Sequence, residues 1–224
     1  MNSVVPAVIP TSRHHLDAML ELFGSFAHEV QVDIVDGVFV PDAPPSWPYA
    51  NGMEPATSLE NFKFDTLSVE LDLMIANPEE TLDMWLKTGV SRIIVHVEST
   101  EQLADVLAHR ASYGYLLGLA FNNDTDLTLL ERIDLSHVDY IQLMGIARIG
   151  VQGQPLDERV IERIQYVRKI YPELLITIDG GVTHDTIPSL RKAGATRFVS
   201  GSAIVNHRHP AHAYEELVRV ARGV

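Results

Sequence analysis

Gln31-Val-Asp-Ile-Val-Asp-Gly-Val-Phe-Val-Pro41 is the stretch on which the reading of this chain turns. Val30 to Val35 has the composition of a β-strand, and residues two apart in a strand share a face. Gln31, Asp33 and Val35 therefore point one way, while Val32 and Ile34 point the other. A parallel strand covered on both faces is normally an unbroken apolar run. A carboxylate near its C-terminal end is costly to bury without a partner or a task, and an active site is such a task.

On either side of this stretch, short β-rich runs alternate with helical patterns. Upstream lie a strand at about Val4–Ile9 and a helix through Leu16, Met19, Leu20 and Phe23 that stops near Gly24. Downstream, residues 41–57 are irregular and rich in proline, with Trp47, Tyr49 and an Asn51-Gly52 turn signal, and are long for a routine connection. Further strands are predicted at Leu67–Ile75, Arg92–Val97, Tyr115–Phe121, Val138–Met144, Leu174–Ile178 and Arg197–Ser200. Between them fall helices from Asn77 to Gly89, Thr100 to Ser112, Asp124 to Ile133 and Leu156 to Tyr171, one capped by Thr183, and a last one over Ala211–Ala221. Eight strand-helix pairs at the spacing of right-handed crossovers predict an α/β fold, a (β/α)8 TIM barrel with residues 1–224 as one domain.

Composition narrows the function. With no cysteine, the chain has no disulfide, thiolate chemistry or zinc-cysteine site. Its net charge of -13 argues against a nucleic-acid partner, although backbone N–H groups can bind phosphate on an acidic protein. No run approaches the roughly 18 apolar residues of a membrane span, and no basic segment precedes an apolar one at the N-terminus. The expectation is a cytoplasmic protein without a membrane partner.

In a barrel of this kind chemistry sits at the C-terminal ends of the strands. Those ends carry Asp33, Asp72, His96 and Asp179, with Gln31 one layer below Asp33 and Glu70 one below Asp72. Glycine-bearing turns follow strands six, seven and eight: Gly150-Val-Gln-Gly153-Gln154, Asp179-Gly180-Gly181-Val182 and Gly201-Ser202-Ala-Ile204. Glycine lets backbone N–H groups approach an anion, and the last two turns are where such barrels commonly hold phosphate.

With these motifs the chain resembles the ribulose-phosphate 3-epimerase family of ribulose-phosphate-binding barrels. The likeness rests on Val32–Pro41, Asp72-Leu-Met-Ile75, Val95-His-Val-Glu98, Leu143-Met144, Ile178-Asp-Gly-Gly-Val182 and Gly201-Ser-Ala-Ile204, and covers nearly the whole chain. It implies an isomerase of carbohydrate metabolism that interconverts D-ribulose 5-phosphate and D-xylulose 5-phosphate. Asp33 and Asp179 would exchange protons with C3 from opposite faces, through an enediolate held on a divalent metal. Met74 and Met144 match positions that flank the enediolate, Thr11 falls where the family has a substrate-contacting serine, and Val35 replaces a third methionine. The family also implies a homo-oligomer.

Two departures bear on chemistry. The family's metal site includes two histidines, and Gln31 and Asp72 stand in their places. Gln31, Asp33, Asp72 and Asp179 would form an all-oxygen set, suited to magnesium or manganese before zinc. Otherwise no metal binds, and the clustered carboxylates repel and share a proton. The loop after strand six, Arg148-Ile-Gly-Val-Gln-Gly-Gln154, is one residue longer than the family's, with Arg148 in reach of a phosphate, and residues 41–57 have the length of a lid. His96 reads as a hydrogen-bonded core histidine and His207-Arg-His-Pro-Ala-His212 as surface. Two further readings stay open: an epimerase of another ketose phosphate, and a phosphosugar-binding relative without catalysis. Lyase chemistry is disfavoured, because Lys63, Lys87, Lys169 and Lys192 all fall in helical segments or at their edges, where none ends a strand to form a Schiff base.

Overall fold

A computed structural model describes residues 2–52, 55–60, 62–64 and 67–224. Eight parallel strands close into a barrel in sequential order: β1 (Ser3–Val8), β2 (Glu29–Val35), β3 (Ser68–Met74), β4 (Arg92–His96), β5 (Leu116–Phe121), β6 (Tyr140–Met144), β7 (Leu175–Asp179) and β8 (Arg197–Ser200). The helices between them are α1 (Arg13–Gly24), α2 (Pro55–Ser58), α3 (Leu82–Leu86), α4 (Leu103–Ser112), α5 (Arg159–Ile170), α6 (Ile187–Ala193), α7 (Ser202–Val205) and α8 (Pro210–Arg222). The fold is a (β/α)8 barrel. Among the described residues no helix is long and apolar enough to cross a membrane.

Strand alternation divides the molecule into two regions. Outward residues such as Val32, Ile34, Leu71, Leu73, Ile93, Val95, Ile141 and Ile178 pack with Leu16, Phe23, Ile164, Val167, Leu190 and Leu217 of the helices in one apolar shell. Each such side chain contributes about 1.5–3 kcal/mol by leaving water. Inward residues are largely polar. The β2–β3 register sets Gln31 beside Glu70, Asp33 beside Asp72 and Val35 beside Met74, and the β6–β7 register sets Met144 beside Asp179.

Near the N-terminal end of the barrel the interior is plugged by charge. Arg197 donates to Glu70 at 2.8 Å and to Glu29 at 2.9 Å, Arg92 pairs with Glu29, and the Tyr140 hydroxyl donates to Glu70. Glu70 is fully buried, so these partners are what make its burial affordable. Gly118, across the β5–β6 register from Tyr140, leaves the phenol its space, since a Cβ there would run into the ring. Gly118→Ala is therefore expected to cost about 1–3 kcal/mol, read as a lower urea midpoint with an unchanged slope.

Several connections are tighter than the sequence suggested. The helix expected from Asn77 to Gly89 is a 3-10 turn at Pro78–Glu80 followed by the five-residue α3. Asn77 does not cap it; it takes a left-handed conformation with φ of 49°, which asparagine tolerates better than most residues. The Thr81 hydroxyl bonds the Pro78 carbonyl at 3.0 Å and competes with helix continuation. The helix expected over Asp124–Ile133 is likewise a 3-10 segment, Leu127–Arg132, capped by Asp126. Thr183 does not cap α6 either: it is tied to Thr186, and the helix begins at Ile187.

Between β2 and β3 the described helices are a 3-10 turn at Ala50–Gly52 and the single turn of α2, and Met53 and Glu54 of the long loop lie outside the described residues. Part of that loop is anchored. Ser46 exchanges hydrogen bonds of 2.8 Å with the backbone of Val35, and the Trp47 N–H donates to the Pro10 carbonyl at 2.7 Å. Buried Trp47 packs edge-on against Phe62. These contacts hold residues 46 and 47 against the ends of β1 and β2.

Candidate active site

Parity and register bring three carboxylates together at the C-terminal mouth. Asp33 on β2, Asp72 on β3 and Asp179 at the end of β7 each offer an oxygen, and these lie within 4.8 Å of one another. Asp72 is fully buried, Asp33 nearly so, and Asp179 partly exposed. Two glutamines and a histidine hold them. Gln31 Nε2 donates to Asp33 Oδ1 at 2.8 Å and to Asp179 Oδ2 at 2.6 Å. His96 Nε2 lies 3.0 Å from Asp72 Oδ1. Gln142 Nε2 donates to Asp72 Oδ2 at 2.8 Å and approaches Asp179 Oδ2 at 3.5 Å.

Charge is out of balance in this layer. Three carboxylates face one histidine, so with all three ionised even a protonated His96 would leave two negative charges uncompensated. Burial first, then repulsion from Asp179 and Asp72, pushes Asp33 well above the usual carboxylate range, against the lowering effect of the Gln31 bond. Asp179 is pushed up to about 7, chiefly by burial and next by Asp72. Burial works against a charged His96 ring, but the Asp72 charge and hydrogen bond, with Glu98 behind them, raise it overall.

Above the carboxylates opens a cleft of about 530 Å³. Asp33, Asp179, Met74 and Met144 line its floor, and Gly150, Gly153, Gly180, Gly181, Gly201 and Ser202 line its sides. Gly181 has φ of 66°, and a Cβ there would lie 2.6 Å from the Leu156 Cα, so this turn admits only glycine. Gly150, with φ of 76°, abuts Ala43 and brings the loop after β6 against the loop after β2.

Other positions singled out by the sequence lie elsewhere. Thr11 is exposed, with its hydroxyl 3.1 Å from His15 Nδ1, and is not among the residues lining the cleft. Arg148 is exposed and borders an adjoining hollow of about 360 Å³ with Phe39, Asn122 and Asn123, and is not among the residues lining the cleft. His96 is fully buried, as a core histidine should be, yet its partner is Asp72 of the site. His207, His209 and His212 are exposed, and the three aspartates are the one group of three ligand-type side chains this close among the described residues. Gln142 is a site residue that the sequence reading misses. A signal for it exists: in Tyr-Ile-Gln-Leu-Met it is a polar residue inside an apolar strand, at the same inward parity as Met144.

The model of the Ribulose-phosphate 3 epimerase family matches residues 3–205. The chain belongs to the ribulose-phosphate 3-epimerase family. It is 32% identical over 179 residues to the ribulose-phosphate 3-epimerase of Chlamydia pneumoniae, covering 77% of this chain and 74% of that one. The enzyme of the same name from Aquifex aeolicus is 31% identical over 176 residues, with 77% and 75% covered. Among solved structures, KGPDC from Streptococcus mutans, in a ligand complex, aligns over 99% of this chain and 97% of its own with a TM-score of 0.70 at 11% identity. The 3-hexulose-6-phosphate synthase of Salmonella typhimurium gives 0.68 at 14% identity over 99% of both chains. At such identities these structures speak for the fold alone.

Membership of the epimerase family raises the question of a divalent cation, and the residues present fit one. The donors are all oxygen, as a hard cation requires. The two uncompensated negative charges match its charge, and the buried Gln31 Oε1 has no protein partner.

Proposed function

We propose that the protein is a ketose-phosphate 3-epimerase that interconverts D-ribulose 5-phosphate and D-xylulose 5-phosphate. The observation that carries this reading is that Asp33 and Asp179, from strands β2 and β7, line one cleft and are bridged by a single amide, that of Gln31. Inversion beside a carbonyl needs a base on one face of the carbon and an acid on the other. Two carboxylates raised by burial and by the charges of neighbouring carboxylates supply both near neutral pH, one ionised and one protonated.

In this mechanism the backbone of Gly150, Gly153, Gly180, Gly181, Gly201 and Ser202 holds the phosphate and sets C3 between the two aspartates. The ionised aspartate takes the C3 proton; the other gives its own to the opposite face, and their protonation states exchange with each turnover. Gln31 serves both directions, because its two N–H groups stabilise whichever carboxylate is ionised. Met74 and Met144, both buried, wall the planar intermediate with apolar surface and keep water from protonating it. Asp33, Asp72, Asp179 and the amide oxygen of Gln31 would hold a magnesium or manganese ion, which when bound supplies positive charge beside the oxygens that become negative as C3 is deprotonated.

Solvent deuterium tests this directly. Protein stripped with chelator and resupplied with magnesium, manganese, zinc or iron in turn is expected to place deuterium at C3 of ribulose 5-phosphate and to form xylulose 5-phosphate, with magnesium or manganese most effective. Failure on every pentulose and hexulose phosphate under all these conditions would leave a phosphosugar-binding protein without catalysis. Turnover of a hexulose phosphate alone would move the substrate, and not the mechanism.

A further inference from the structure

We infer that Gln142 is a positioning residue that fixes Asp179 relative to Asp72, a role that rests on the epimerase reading above. Gln142 lies midway along β6, fully buried inside the barrel, beside Ala120 of β5 and Thr177 of β7. An apolar residue would fill this place without needing any partner. A glutamine must find acceptors for its amide hydrogens or bear the cost of leaving them unmade. Its Nε2 finds Asp72 Oδ2 at 2.8 Å and Asp179 Oδ2 at 3.5 Å. Two hydrogens on one nitrogen can serve both oxygens at once.

Gln31 spans Asp33 and Asp179 in the same manner, so the contacts form one chain: His96, Asp72, Gln142, Asp179, Gln31, Asp33. Asp72 is braced at both oxygens, by His96 on Oδ1 and by Gln142 on Oδ2. Phe39, with its ring centre 5.5 Å from that of His96, packs against the first link. An amide does not take up a proton near neutral pH, so its links transmit orientation and leave proton transfer to the carboxylates they hold.

Asp179 is the group that needs such support. It ends β7 and is followed by Gly180 and Gly181, both at positive φ, which bring no side chain of their own to brace the carboxylate. The described donors to its side chain are the amides of Gln31 and Gln142. Gln142 is not among the residues lining the cleft and does not reach the sugar; it acts through Asp179.

Gln142→Met keeps an unbranched side chain of similar length and removes the N–H donors. The expected result is a fall in kcat of about tenfold to a hundredfold, the scale of a misplaced reacting group, with KM for ribulose 5-phosphate and Kd for inorganic phosphate within about twofold of wild type. If this variant does not fold, Gln142→Asn, one methylene shorter with its amide intact, makes the same comparison. A kcat within about twofold of wild type overturns the inference, as does a joint loss of kcat and phosphate affinity, which would mark general loosening of the barrel. A second readout is independent of turnover. The Gln142 side-chain amide NMR signals, assigned by their loss in Gln142→Met, are expected to exchange slowly with solvent and to move in Asp179→Asn. Unmoved signals overturn the inference whether or not the wild type turns over. Moved signals on a protein without turnover uphold the tie and overturn only the epimerase reading.

Discussion

Asp33→Asn is expected to slow interconversion of the two epimers by about 10²–10⁴-fold, the contribution of a positioned acid or base, while sparing half of the reaction. Asparagine keeps the shape and an acceptor for Gln31, but neither gives nor takes a proton. Asp179 still faces C3 in this variant, so one epimer should continue to exchange its C3 hydrogen for solvent deuterium with no inversion. Asp179→Asn is expected to show the mirror result with the other epimer. NMR of the two pentulose phosphates in heavy water, followed for each variant, assigns an epimer to each aspartate. Exchange of both epimers by either variant would show that one group serves both faces, and the two-base reading would be wrong. Full retention of epimerisation would remove the aspartate from the reaction altogether.

The second large effect is on stability. Asp179 sits at about 7 in the folded protein, against an ordinary value of 3.8. Between those values the folded chain holds a proton that the unfolded chain has lost, so raising the pH withdraws stability across that window. A shift of about three units corresponds to as much as about 4 kcal/mol. Asp33 is raised as well and adds to the loss in the same direction. His96 acts in the same direction: its folded value is raised, so the stability it contributes is present below its ordinary 6.5 and disappears as pH rises through the folded value. Asp126, Asp134 and Asp157 have lowered values, and their contribution is lost only in more acid solution.

In chelator, the urea midpoint is therefore expected to fall between about pH 5 and pH 8, the reverse of the usual rise away from acid. Asp179→Asn, neutral throughout, should make the fall shallower. Millimolar manganese should also flatten it, since a cation that binds only the folded, ionised cluster stabilises by mass action. A midpoint that stays level or rises over this range would contradict the buried, mutually repelling cluster described above.

Much of this is legible in the sequence. The barrel follows from eight strand patterns and their spacing, and Asp33 stands out because a carboxylate interrupts an otherwise apolar strand. The glycine turns after β6, β7 and β8 can be placed because glycine punctuates sequence strongly, and the structure gathers them around one cleft. What escapes is pairing across strands. That Asp72 meets both His96 and Gln142 depends on the stagger of β3, β4 and β6, which no single strand encodes. Parity places Glu70 one layer down, but Arg197 and Tyr140, its partners from the far side of the barrel, carry no local mark of that contact. Short connections read as longer helices wherever a threonine or asparagine side chain offers the backbone a rival hydrogen bond or turn, as at Thr81 and Asn77.

The charged plug of Glu29, Glu70, Arg92, Arg197 and Tyr140 has one more consequence. With that end of the barrel closed, the carboxylates stand at the foot of a blind well whose mouth is the sugar's own doorway. While a sugar phosphate fills the cleft it is also the stopper. A hydrogen lifted from carbon then has no second exit, and it reaches bulk water past the guest, more slowly than from an open cleft.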